Sequence, residues 1–138
     1  PLIDRLTQEL GYPLLDASNY DNFIHKENTV ALFFTSDPAK HPETLDLAVV
    51  LPELVEHFDG AFSAAVIDRS YEKTLQQRFH FKAWPALVFL QHGEYLGNLT
   101  RILDWADYIS EIPTILEKTP GRNRGLSIPV VTEFGASS

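Results

Sequence analysis

Phe81-Lys82-Ala83-Trp84-Pro85-Ala86-Leu87-Val88-Phe89-Leu90-Gln91-His92-Gly93-Glu94 joins an X-Pro dipeptide to an apolar run and then to a polar turn. Apolar character resumes over Tyr95–Leu99. Ala86–Leu90 and Tyr95–Leu99 therefore form the arms of a hairpin about Gln91-His92-Gly93-Glu94. Upstream, Thr29-Val30-Ala31-Leu32-Phe33-Phe34-Thr35 is nearly unbroken in apolar β-formers, the pattern of a central strand covered on both faces. Ala61–Ile67 is a second buried strand, and Tyr12–Leu15 a short one.

Between the strands the period changes to that of helices. Leu2, Ile3, Leu6 and Leu10 share one helical face, and Gly11 suits a stop. Asp16–Asn19 supplies cap residues before a short helix through Tyr20, Phe23 and Ile24. A longer helix spans Thr44–Phe58, with Leu47, Val50, Leu51, Leu54, Val55 and Phe58 inward and a kink at Pro52. Tyr71–Phe79 is a helix with Leu75 and Phe79 inward. A last helix is capped by Asp104, lined by Trp105, Ile109, Ile112 and Leu116, and disturbed near its end by Pro113. Parallel strands need a crossover helix, whereas a hairpin needs only a short turn. The order thus predicts an α/β fold: a three-layer α/β/α sandwich around one mixed sheet.

The chain has 138 residues, enough for one domain with an adequate core. Residues 1–118 are assigned to that domain. Residues 119–138, rich in Gly, Pro and Ser, read as a flexible or docked tail in which Leu126–Val131 is apolar enough to dock. The formal charge is −8, and the tail has a local balance of +1 from Arg122, Arg124 and Glu133, which leaves −9 for the rest. Phosphates demand a basic face, so nucleic acid is not an expected partner. A basic partner would be steered toward this chain, although acidity also serves solubility alone. No apolar run approaches the roughly 18 residues of a membrane span, and no membrane insertion is expected. Pro1-Leu2-Ile3-Asp4 lacks the basic region of a secretory signal, so the cytoplasm is the expected compartment. The first residue is Pro1 rather than methionine, and a few further leading residues are expected.

Cysteine is absent from the chain. Disulfide exchange needs a thiolate, so that chemistry is excluded for this chain acting alone. His41, His80 and His92 have no ligand spacing on one element, and no thiol assists them. No motif frames Ser36 and His41 as a nucleophile and its base. The residues point to neither a metal nor a cofactor, and to no enzyme. Tyr71, Tyr95 and Tyr108 read as structural.

From Tyr12 to Leu116 the chain resembles thioredoxins. Phe33-Phe34 stand at the aromatic end of that family's central strand, and Pro38-Ala39-Lys40-His41 fall where its CxxC motif lies. Pro52 matches the proline that kinks the following helix, and Ala83-Trp84-Pro85 matches the approach to the cis-proline. A closer resemblance rests on four pieces of sequence. These are Ser36-Asp37-Pro38 with Pro42-Glu43, Phe79-His80-Phe81, Trp84–Phe89, and Gly93-Glu94-Tyr95 with Gly97. They resemble the cysteine-less, thioredoxin-like hydrogenase expression proteins of the HyaE/HupG type. The resemblance implies a cytoplasmic chaperone for the small subunit of a nickel–iron hydrogenase, binding its twin-arginine signal peptide before export. Other hydrogenase assembly factors are further candidate partners on the same ground.

Given that fold, Trp84–Pro85 is expected to be cis, since only X-Pro bonds take that form at a cost of about 0.5–1 kcal/mol. The neighbouring backbone groups would then pair with an extended peptide. Trp84 either packs a peptide side chain or guanidinium, or belongs to the core. Asp37, Glu43 and Asp46 are expected beside the loop Pro38, Lys40 and His41, where carboxylates could take the forks of paired arginines. The alternatives are a solvated helix N-terminus, where acids are favoured anyway, and a purely structural role for Asp37 in the turn. The competing function is a generic thioredoxin-like peptide-binding or scaffold module without a hydrogenase client.

Overall fold

A computed structural model describes residues 2–37, 39–100 and 102–118. The tail expected over 119–138 and its apolar run Leu126–Val131 lie outside the described residues. The elements run α1 (Leu2–Gln8), β1 (Leu14–Leu15), α2 (Tyr20–Lys26), β2 (Thr29–Phe34), α3 (Glu43–His57), β3 (Ser63–Ile67), α4 (Arg69–Phe79), β4 (Ala86–Gln91), β5 (Glu94–Leu99) and α5 (Trp105–Leu116).

The sheet is five-stranded, in the order β1-β3-β2-β4-β5. β3 pairs in parallel with β1 and β2. β4 pairs antiparallel with β2 and β5. All of β2 is buried, as expected of a central strand with a layer on each side. Its alternation divides the core in two. Ala31 and Phe33, with Val66, Leu87 and Phe89, pack beneath α1, α3 and α5 through Leu6, Leu51, Leu54 and Ile112. Val30, Leu32 and Phe34, with Ile67 and Val88, pack beneath α2 and α4 through Tyr20, Ile24, Leu75 and Phe79. This is the expected three-layer α/β/α arrangement with a mixed sheet.

Several local expectations are corrected. The first strand is only Leu14–Leu15, because Pro13 has no N–H to give; its carbonyl accepts the Val66 N–H at 2.9 Å. α1 stops at Gln8, and Leu10 lies beyond it, exposed. β3 starts at Ser63 rather than Ala61, and α4 at Arg69, where the Asp68 side chain accepts the Ser70 N–H at 3.0 Å. The hairpin turn is His92-Gly93 alone, since Gln91 and Glu94 still pair. Both turn residues have positive φ, 52° and 80°, the geometry that favours glycine at the second position.

α5 keeps most of the predicted face, since Ile112 is buried and Ile109 and Leu116 pack against the core, but its first member turns outward. Trp105 is 43% exposed, while Tyr108, Ile112 and Ile115 are buried. α5 lies close against β5 at Gly97: a Cβ there would lie 3.2 Å from Ile115 Cγ2, so that side chain would have to shift to admit it. Asp104 stands at the N-cap, but its side chain makes no cap bond; its carbonyl accepts from Asp107 and Tyr108. α3 and α5 each continue through their internal prolines, Pro52 and Pro113.

Candidate functional site

The candidate surface forms where β2 ends and β4 begins. Phe34, last in β2, pairs with Ala86, first in β4. That register brings Trp84-Pro85 beside the loop that leaves β2. The Trp84–Pro85 bond is cis, as expected. Pro85 is buried, and Trp84 is half-buried. The indole meets Phe81 and Phe34 edge-on, with centroids 5.1 and 6.3 Å apart. Trp84 is thus anchored to the core on one side and open on the other, an arrangement that can offer an aromatic face to a bound chain.

The loop is held by a group that the sequence reading missed. The Glu72 carboxylate of α4, 5% exposed, accepts the backbone N–H of Thr35 at 2.7 Å and of Ser36 at 3.0 Å. The Thr35 hydroxyl lies 3.4 Å from the same oxygen. From α3, the buried Thr44 hydroxyl donates to the Thr35 carbonyl at 2.7 Å. Ser36 adopts φ 53°, an uncommon value for a residue other than glycine. Burial raises the Glu72 carboxyl above the usual carboxylate range. The hydrogen bonds from Ser36 and Thr35 and the nearby Arg69 charge pull the other way. One signal for Glu72 was available: positions 72, 75 and 79 are i, i+3 and i+7 on the buried stripe of α4. An acid on an apolar stripe needs partners.

The predicted residues fall as follows. Asp37 organises the next turn: Oδ1 accepts the Ala39 N–H at 3.0 Å, and its carbonyl accepts from Lys40 and His41 at 2.9 Å each. Its Oδ2 lies 4.0 Å from the Arg69 guanidinium, a second partner that the sequence reading missed. Lys40 is exposed and His41 half-buried in the same turn. Pro38 lies outside the described residues. Glu43 and Asp46 sit exposed in the first turn of α3. Asp37 pairs toward α4, on one face of the sheet. Asp46 acts on Tyr108 of α5, on the other face, where burial and then the Asp46 charge raise the phenol while the Leu103 N–H opposes them. The three acids therefore straddle the end of β2 from both sides. Among the described residues, no three His, Asp or Glu side chains gather as metal ligands.

The family model of hydrogenase-1 expression protein HyaE matches residues 2–108. The hydrogenase expression/formation protein HoxO of Azotobacter vinelandii is 48% identical over 140 residues, covering 100% of this chain and 92% of that protein. A crystal structure of a putative hydrogenase expression/formation protein, hupG from Rhodopseudomonas palustris CGA009, is 39% identical. It superposes with a TM-score of 0.55 over 75% of this chain and 94% of that one. A mutant thioredoxin from Halobacterium salinarum NRC-1, only 20% identical, superposes with a TM-score of 0.59 over 79% and 93% of the two chains. That likeness identifies the fold as thioredoxin-like.

Proposed function

Because this chain belongs to the HyaE family of hydrogenase expression proteins, we propose that it serves hydrogenase formation as a non-catalytic chaperone. In this reading it binds the hydrogenase small subunit through its twin-arginine signal peptide, on the cytoplasmic side and before export. The observation that carries the reading is the half-open Trp84 beside an acidic loop that Glu72 and Thr44 hold in place. A thioredoxin-like fold without cysteine keeps the surface for an extended chain and lacks the thiolate that would attack it.

Each residue has a physical task in this reading. Asp37, Glu43 and Asp46 accept guanidinium forks, which a carboxylate matches in bidentate fashion. Trp84 offers its ring to a guanidinium or an apolar side chain. Lys40 and His41 line the turn between the acids, and Pro85 sets the start of β4. The net charge of −8 draws a basic segment to the surface before any contact forms. Among the described residues no helix is long and apolar enough to cross a membrane.

The test is a titration of the full chain with a twin-arginine signal peptide and with its twin-lysine variant, followed by fluorescence anisotropy. Arginine forks but lysine does not, so the lysine peptide is expected to bind about tenfold more weakly. Equal, weak binding of both would favour the generic peptide-binding module. Absence of binding would reject the signal peptide as client.

A further inference from the structure

A cavity of about 320 Å³ opens at the carboxyl ends of β1, β3 and β2, on the far side of the Ser36 loop from Trp84. Ile3 of α1, Leu14 of β1 and Val66 of β3 give it an apolar lining. Asp4, Asp68 and Ser36 stand at its rim. Its volume lies at the small end of ligand pockets, which run roughly 300–1,000 Å³.

Three features define an occupant. Leu14 lies on the edge strand and is 46% exposed, so the cavity has an apolar wall with no protein over it among the described residues. The rim is acidic: Asp4 and Asp68, with Asp37 next to Ser36, face Arg69 as the only cation on this rim among the described residues. Arg69 is itself 4.0 Å from Asp37. Finally, Ser36 belongs to both the cavity and the loop that Glu72 holds. A peptide leaving the loop toward α1 would meet carboxylates first and apolar side chains directly behind them.

We infer that this cavity seats the first large apolar side chain beside the paired basic residues of the bound peptide. The inference rests on the peptide-binding reading above and adds to it a specificity pocket built by α1, β1 and β3. Occupancy requires an extended segment in which arginine and an apolar residue are close neighbours. A peptide with the same charges but a polar residue at that place is the wrong ligand.

The test uses the full chain, a twin-arginine signal peptide, and a variant of that peptide with serine at the first large apolar position. Leu14→Arg and Asp4→Lys are each expected to weaken the apolar peptide about tenfold, and Glu56→Lys, on the outer side of α3, to leave it unchanged. The serine peptide is expected to bind weakly and to be insensitive to Leu14→Arg. Methyl resonances of Ile3, Leu14 and Val66 should shift when the apolar peptide is added. Where Leu14→Arg does not fold, Asp4→Lys and the methyl shifts carry the test. Tight binding with these methyls unmoved, and with both variants unaffected, overturns the pocket and leaves the peptide-binding reading standing. No binding of either peptide overturns both. Movement of the same methyls in the free chain on Arg122→Glu with Arg124→Glu assigns the cavity to the chain's own basic segment and also overturns the inference.

Discussion

The buried Glu72 carboxylate accepts the Thr35 backbone N–H at 2.7 Å, so a side chain of α4 closes the end of β2. The two residues are 37 apart in sequence. The same oxygen takes the Ser36 N–H, and the Thr44 hydroxyl donates to the Thr35 carbonyl. The loop that bears Asp37 is therefore fixed by the body of the domain.

Glu72→Ala would strip the acceptor from two backbone donors, one of them buried. An unpaired buried donor costs about 1–3 kcal/mol, and the loss of unfolding free energy in urea titrations is expected to be about 3 kcal/mol. Hydrogen exchange at the Thr35 and Ser36 amides should accelerate together. Unchanged stability with slow exchange at both amides would show that the loop is held by other means.

The same carboxyl gives a pH signature. Burial raises Glu72 above its ordinary value of 4.5 in the folded chain. The folded state then holds this proton more tightly than the unfolded state does. The resulting stabilisation is complete below the ordinary value and is lost as pH rises through the raised one. Relative to Glu72→Gln, the wild-type chain should lose stability as pH rises from 4.5 toward neutrality. Parallel pH profiles for the two proteins would contradict the assigned direction.

Arg69 lies 4.0 Å from Asp37, one of the carboxylates that the proposed function assigns to an incoming arginine. The pair is largely solvent-exposed, and such pairs are worth about 0.2–1 kcal/mol. Arg69→Ala removes the competitor and a like charge, so binding of a twin-arginine peptide should strengthen about two- to fivefold. Weaker binding after the substitution would place Arg69, rather than Asp37, in contact with the peptide.

Gly97→Ala tests the seating of α5. The added Cβ would approach Ile115 Cγ2 to 3.2 Å, and overpacking of this kind costs about 1–3 kcal/mol. A loss of unfolding free energy of about that size is expected in urea titrations. A double-mutant cycle with Ile115→Ala should recover most of it, because the clash is with that side chain. Additive effects would mean that Gly97 matters for the strand backbone instead.

The layers of the fold were legible in the chain because periodicity is a local property. The unbroken run Thr29–Thr35 announced a strand with cover on both sides, and β2 is buried along its whole length. Leu47, Leu51 and Leu54 announced the inner face of α3 and are buried there. One member of the α5 face was misjudged on the same ground, while Ile109, Ile112 and Leu116 do pack against the core. Trp105 fits the apolar period yet is exposed, whereas Tyr108 and Ile115 are buried, Ile115 where α5 lies against Gly97. Period says that a helix has an inner face; the neighbour decides which residues fill it.

From composition and spacing came an acidic, cysteine-free domain of βα units with a hairpin, while the resemblance to thioredoxins set the loop residues Asp37, Lys40 and His41 beside Trp84 and Pro85. Composition and spacing are written in the order of residues, and folding does not alter them. Which polar groups meet was decided only in three dimensions. Glu72 reaches Thr35, Arg69 reaches Asp37, and α1 closes on β3 over a cavity because chain topology brings distant segments together. Once those segments are packed, each buried polar atom must take the partner that the packing leaves within reach.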